Sequence, residues 1–173
     1  MVQNKASGIK LLLLDVDGVL TDGTITINSQ GEEIKSFDVK DGQGLKLLIK
    51  AGVEIVIVSG RRSVVVEHRA KDLGIAGLYQ GVEDKALLCR QLIKQRGLLK
   101  EEVCCIGDDL PDLAMFHESG LCIAVADACE EIRAAADLVT QNRGGRGAVR
   151  ELCEWLLKCK GSWNQAIEGF SGK

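Results

Sequence analysis

Proline is nearly absent from this 173-residue chain, with one residue, Pro111, against twenty glycines that mostly punctuate the sequence. No block of lysine and arginine stands out and the net charge is −3, which argues against nucleic acid or an anionic membrane as partner. Apolar runs reach only about half a dozen residues, far short of the roughly 20 that a membrane span needs. The apolar run that opens after Lys10 is cut off by Asp15 too early for a signal peptide. Seven cysteines are an odd number, none form a C-x2-C pair, and His68 and His117 stand at no zinc-like spacing. Cys104-Cys105 in an apolar segment reads as buried, reduced thiols, so the expected setting is cytoplasmic.

With 46% hydrophobic residues over this length, residues 1–173 are expected to form a single domain with a sizeable core. The first strong element is Leu11-Leu12-Leu13-Leu14, preceded by Ile9, a short strand buried on both faces of a sheet. Alternation over Thr24–Asn28 and Glu33–Phe37, around the turn Ser29-Gln30-Gly31-Glu32, predicts an inserted β-hairpin across about 24–38. Asp41 fits a cap for a helix through Leu45, Leu47, Leu48 and Ile49 that Gly52 closes. Buried strands follow at Val53–Val58 and Val103–Ile106, with further strands at Leu78–Gln80, Leu121–Val125 and Leu138-Val139. Helices are expected at Ser63–Leu73, Asp84–Arg96, around Leu113–Phe116, at 128–136 and at Ala148–Lys158. Beyond about residue 160 the sequence reads as a glycine- and polar-rich tail with Trp163 and Phe170 as isolated anchors. Strands alternating with helices predict an α/β, Rossmann-like three-layer sandwich with a mainly parallel sheet.

In such sheets ligands bind beyond the carboxyl ends of the strands. The polar groups of this chain fall at those ends: Asp15 and Asp17, Ser59 and Arg61, Asp108, and Lys85 opening a helix toward the same edge. If strand geometry persists through Asp17, Asp15 and Asp17 point to one side a few ångströms apart. Two such carboxylates repel unless a proton or a divalent cation sits between them. A strand-end D-x-D-G is therefore a candidate magnesium site joined to a nucleophile. Simpler readings exist for each residue. Asp15 fits a helix cap with Asp17-Gly18 as a turn, Ser59 fits a cap, and Lys85, Arg61 and Arg69 fit solvated helix positions. Asp109 fits a cap or a solvent-facing site and is left out of the set.

In order along the chain stand D-x-D-G-V-L-T-D-G (Asp15–Gly23), S-G-R (Ser59–Arg61), a lysine before a helix (Lys85) and G-D-D-x-x-D (Gly107–Asp112). This series resembles the four motifs of the haloacid dehalogenase phosphatase superfamily and covers nearly the whole chain. The hairpin, with no separate cap domain, is similar to its small capless branch. Finer matches at Phe37–Gly42, Gly60–Ser63, Tyr79–Val82 and Gly144–Glu151 resemble members acting on sugar-acid phosphates. The resemblance implies magnesium-dependent hydrolysis of 3-deoxy-D-manno-octulosonate 8-phosphate through an aspartyl-phosphate, a step of lipopolysaccharide precursor synthesis.

The chemistry of each position agrees. A phosphate monoester is a dianion, so an attacking carboxylate needs a cation beside it. Asp15 is the expected nucleophile and Asp17 the acid that protonates the leaving alkoxide and later takes a proton from water. Neighbouring carboxylates are expected to keep Asp17 protonated. Asp15, the backbone carbonyl of Asp17, and Asp108 form the expected oxygen-only magnesium set. Asp112 stands behind them, holding a metal-bound water or orienting Lys85. Ser59 and Lys85 grip the transferring phosphoryl group. The resemblance also places Asp38, Val39, Lys40, Asp41, Gly42, Lys46, Arg61 and Arg69 around the sugar-acid end of the substrate, where arginine suits a carboxylate.

The hairpin carries apolar residues (Ile25, Ile27, Ile34, Phe37) expected to face outward, beyond what one hairpin can bury. The resemblance implies a homotetramer whose four hairpins close a central barrel; a hairpin folded onto its own domain is the alternative. Two functional alternatives stand beside the main reading. One is a phosphatase for a nine-carbon sialic-acid-type 9-phosphate. The other is a receiver-type phosphoacceptor domain, which would carry an adjacent acidic pair after the first strand, where this chain has D-x-D.

Overall fold

The computed structural model describes residues 2–75 and 77–170. Six strands form one sheet in the order β5-β4-β1-β6-β7-β8. They are β1 (Leu11–Leu14), β4 (Glu54–Ser59), β5 (Gly77–Gln80), β6 (Val103–Gly107), β7 (Leu121–Ala124) and β8 (Leu138–Val139). Every neighbouring pair is parallel. Strand β1 lies between β4 and β6, with Leu14 opposite Ile57 on one side and Ile106 on the other. All four of its leucines have no solvent exposure, as expected for a strand covered on both faces. Full burial of each contributes roughly 1.5–3 kcal/mol.

The helices cover this sheet in packed groups. One joins α1 (Val2–Ser7), α2 (Val39–Lys50), α7 (Ala148–Cys159) and α8 (Trp163–Glu168), with α3 (Val64–Leu73) against α2. The other joins α4 (Lys85–Gln95), α5 (Leu113–Glu118) and α6 (Glu130–Ala135). Helix α7 buries Ala148, Val149, Leu152, Cys153, Leu156 and Leu157, a spacing that puts all six on one face. Among the described residues no helix is long and apolar enough to cross a membrane.

The structure differs from the sequence expectations at several places. Helices α1 and α8 occupy segments with no assigned element and an expected tail. Each has six residues, too short to be stable by itself, and is supported by contact with α7. Trp163 packs against the core margin beneath the cations of Arg150 and Lys158, whereas Phe170 is 68% exposed and anchors nothing. The last tail residues, 171–173, lie outside the described residues. Asp41 does not cap α2: Asp38 does, accepting from the N–H groups of Lys40 and Asp41. Asp41 is buried and instead accepts from the N–H groups of Gly147 and Arg150, at the start of α7.

The hairpin pairs only β2 (Thr26–Ile27) with β3 (Glu33–Ile34). Ile25, Ile27 and Ile34 are exposed as expected, but Phe37 turns inward, half-buried against the core under the guanidinium of Arg69.

Candidate active site

The site begins where β1 ends. Asp15 N–H still donates to the Ile106 carbonyl, 3.3 Å away, and then the chain leaves the sheet. The N–H groups of Val19, Leu20 and Thr21 converge on the Val16 carbonyl, and Gly18 takes a left-handed φ of +90°. That conformation suits glycine, and so does the space: a Cβ at Gly18 would lie 2.0 Å from Asp108 Oδ2. A second glycine loop supports this turn from outside. Gly145 N–H donates to the Val19 carbonyl at 2.8 Å, and a Cβ on Gly144 would stand 1.7 Å from the Gly18 oxygen.

Strand ends and helix starts bring the remaining groups to this edge. Helix α4, capped by Asp84, presents Lys85 from its first position. Lys85 Nζ donates to Asp15 Oδ1 and to Asp112 Oδ1, 2.7 Å each, and the residue is only 6% exposed. The other Asp112 oxygen accepts from Asp108 N–H at 3.0 Å. Asp112 therefore contacts both Lys85 and the backbone at Asp108. Asp109 is exposed and caps the short turn Leu110–Asp112. Ser59 Oγ accepts from Arg61 N–H at 3.2 Å, which leaves its proton available to a ligand.

Asp15, Asp17, Ser59, Arg61, Lys85, Asp108 and Asp112 all line one open cleft of about 750 Å³. Oxygens of Asp15, Asp108 and Asp112 come within 4.8 Å of one another. Burial, reinforced by the Asp112 charge, pushes the Asp15 carboxyl up to about 7, with Lys85 working against the rise. Burial and the charge of Asp15 push Asp108 up to about 8. Burial disfavours the Lys85 ammonium, but Asp15 and Asp112 more than offset this and raise its pKa overall. Negative charge thus exceeds positive charge here, and an all-oxygen donor set of this kind fits a hard divalent cation such as magnesium.

Asp17 lies at the hairpin side of the cleft. Asp15 and Asp17 both line the cleft, but their charged partners differ. The Asp17 side chain meets cations: Lys35 Nζ donates to Oδ1, and Arg61 Nε lies 3.7 Å from Oδ2.

The residues expected around the sugar acid divide as well. Arg61 lines the cleft, whereas Asp38, Val39, Lys40, Asp41, Gly42, Lys46 and Arg69 do not line it in this chain. Asp38 and Asp41 cap helices, while Val39, Lys40 and Lys46 are exposed. Arg69 Nη2 donates to the Asp38 carbonyl at 3.3 Å above buried Gly42, whose missing Cβ leaves room for it. Arg69 thus ties α3 to the start of α2 at Asp38 and Gly42. Sequence reasoning missed Glu33, Lys35 and Ser63, which bind the hairpin to this edge; Glu33 accepts from both Arg61 and Ser63. The one available signal was a pair of opposite charges, Glu33 and Lys35, two residues apart and so on one face of the strand.

The sequence profile of haloacid dehalogenase-like hydrolases matches residues 78–152. The 3-deoxy-D-manno-octulosonate 8-phosphate phosphatase KdsC of Salmonella typhi is 44% identical over 165 residues, 95% of this chain and 88% of the relative. The chain belongs to the haloacid dehalogenase-like hydrolases. Solved members of that family share its fold. The 3-deoxy-D-manno-octulosonate 8-phosphate phosphatase of Moraxella catarrhalis, crystallised with magnesium, phosphate and the sugar acid KDO, superposes with a TM-score of 0.95 at 44% identity, covering 98% of each chain. The cobalt-bound phosphatase of Haemophilus influenzae superposes at 0.89 with 40% identity, covering 94% of this chain and 98% of its own. As in the capless branch of the family, the hairpin is the one sheet insertion between β1 and α2 among the described residues.

Proposed function

We propose that this protein hydrolyses 3-deoxy-D-manno-octulosonate 8-phosphate to the free sugar acid and inorganic phosphate, with magnesium as cofactor. The observation that carries the reading is the buried Asp15–Lys85–Asp112 arrangement beside Asp108 at the mouth of the central strand. The relatives named above supply the substrate. Asp15, the carbonyl of Asp17 and Asp108 would hold the ion, which supplies positive charge to offset repulsion between Asp15 and the phosphate dianion.

Lys85 donates to Asp15 Oδ1 and holds the carboxylate in place, and one carboxylate oxygen of Asp15 attacks phosphorus. As that O–P bond forms, the bond to the sugar oxygen breaks and Asp17 gives the leaving oxygen a proton. Asp17 then takes a proton from water, whose oxygen attacks phosphorus and returns Asp15 as a free carboxylate with release of phosphate. Lys85 and the Ser59 hydroxyl stabilise the charge on the transferring group, and Asp112 keeps Lys85 in place. Arg61 provides a cation for the carboxylate of the sugar acid.

The reading extends to assembly and setting. Exposed Ile25, Ile27 and Ile34 (49–62% exposed) support association of hairpins into a homotetramer. Seven free cysteines support a reducing, cytoplasmic environment, where the product would feed lipopolysaccharide precursor synthesis. A screen of phosphorylated sugars with magnesium, reading released phosphate, tests the proposal. The eight-carbon sugar-acid phosphate should give the highest kcat/KM. A clear preference for a nine-carbon 9-phosphate would replace the substrate, and no hydrolysis of any ester would overturn the function.

A further inference from the structure

Lys35 stands out in its surroundings. It belongs to a hairpin whose other residues are largely solvent-exposed, yet its side chain is 1% exposed. Burying an ammonium is costly unless partners replace its water. Its partners are Asp17 Oδ1 and Glu33 Oε1, the latter at 3.2 Å. Glu33 in turn accepts from Arg61 Nη2 at 3.1 Å and from the Ser63 hydroxyl, and Arg61 lies beside Asp17 Oδ2. Four charged groups from β1's end, the hairpin and β4's end thus close a ring at the cleft wall.

We propose that Lys35 is a positioning residue for the reaction, acting through Asp17. The proposal rests on the role of Asp17 as acid and base given above. A carboxyl beyond a strand end can rotate about two bonds, and proton transfer to a leaving oxygen requires one orientation. By donating to Oδ1, Lys35 fixes the plane of the carboxyl and leaves Oδ2 to exchange a proton with leaving group and water. Lys35 keeps its own protons throughout. The hairpin is therefore part of the site's machinery in its own chain, whatever it contributes to assembly.

The test is leaving-group dependence in Lys35→Met, which keeps the aliphatic stem and removes the charge. A sugar phosphate expels a poor alkoxide that needs the acid, whereas p-nitrophenyl phosphate expels a phenolate that does not. Loss of orientation should lower kcat and kcat/KM for the sugar-acid phosphate at least about tenfold while KM stays within about threefold, and kcat/KM for the aryl ester should stay within about threefold of wild type. Equal losses on both esters, or no loss on either, would overturn the proposal. If Lys35→Met fails to fold by circular dichroism, Glu33→Gln decides: it loosens Lys35 one contact away and should show the same selective deficit, smaller in size. A Glu33→Gln deficit equal on both esters, or absent, would then overturn it. Wild type active on neither ester would instead defeat the proposed function.

Discussion

Lys85→Met perturbs the charge balance of the cleft most directly. Lys85 Nζ lies 2.7 Å from carboxylate oxygens of both Asp15 and Asp112, and neither side chain is more than 10% exposed. Methionine preserves the stem and removes the charge, so Asp15, Asp108 and Asp112 would share one buried corner without it. Taking one partner from a buried ion pair costs about 3–5 kcal/mol. For a protein of this size each kcal/mol lowers Tm by about 2–4 °C, so a fall of roughly 6–20 °C is expected without metal. The pH dependence has a definite sign. Asp15 and Asp108 titrate near 7 and 8 in the folded chain, well above their ordinary value of 3.8. A carboxyl raised in this way favours the fold below its unfolded pKa and loses that contribution as pH rises through the folded one. Protons can thus stand in for the lysine under acidic conditions. The variant's deficit should be small near about pH 6 and full near about pH 9. Magnesium should narrow it at the higher pH by supplying the missing charge. Thermal unfolding followed by circular dichroism, with magnesium or with EDTA, measures all of this. A metal-free variant that melts within about 2 °C of wild type at high pH, or whose deficit grows on acidification, would refute the charge-balance argument.

Three further outcomes follow from the same geometry. Asp15→Asn keeps the shape of the nucleophile and should reduce phosphate release at least about a thousandfold with the fold intact; more than about a tenth of wild-type turnover would rule out a covalent step. EDTA should abolish activity and magnesium restore it. Because the ion must displace protons held by Asp15 and Asp108 near 7 and 8, calorimetric magnesium affinity should rise with pH across that range, and a flat profile would contradict the site. Gly144→Ala drives a methyl group to 1.7 Å from the Gly18 carbonyl oxygen, so it should cost roughly 1–3 kcal/mol and weaken magnesium binding by shifting Gly18 against Asp108; wild-type stability would show that the 142–147 loop gives no support.

Much of the site was readable because its parts are local. A run of four leucines interrupted by aspartate marks a buried strand end whatever lies around it, and parallel α/β topology sends every such end to one edge. Asp15, Ser59, Lys85 and Asp108 therefore converge without any knowledge of their contacts. The partners of Asp17 were beyond the same reasoning, because Lys35 comes from the hairpin and Arg61 from beyond β4.

Periodicity alone determined the strands, the longer helices and the order of polar stations, because the face a residue presents is set by its own backbone and near neighbours. Tertiary structure alone decided which distant charge each polar group would meet. Asp41 reads as the start of its own helix, yet its carboxylate closes the start of α7, more than a hundred residues away in sequence. Lys35 is one residue of an alternating hairpin strand in the sequence, yet its side chain is enclosed against Asp17. Helices α1 and α8, six residues each, exist because α7 offers them a surface. Long-range ion pairs and short helices leave no periodic trace in the sequence, since their stability comes from desolvation and packing that arise only once the sheet and its helices have come together.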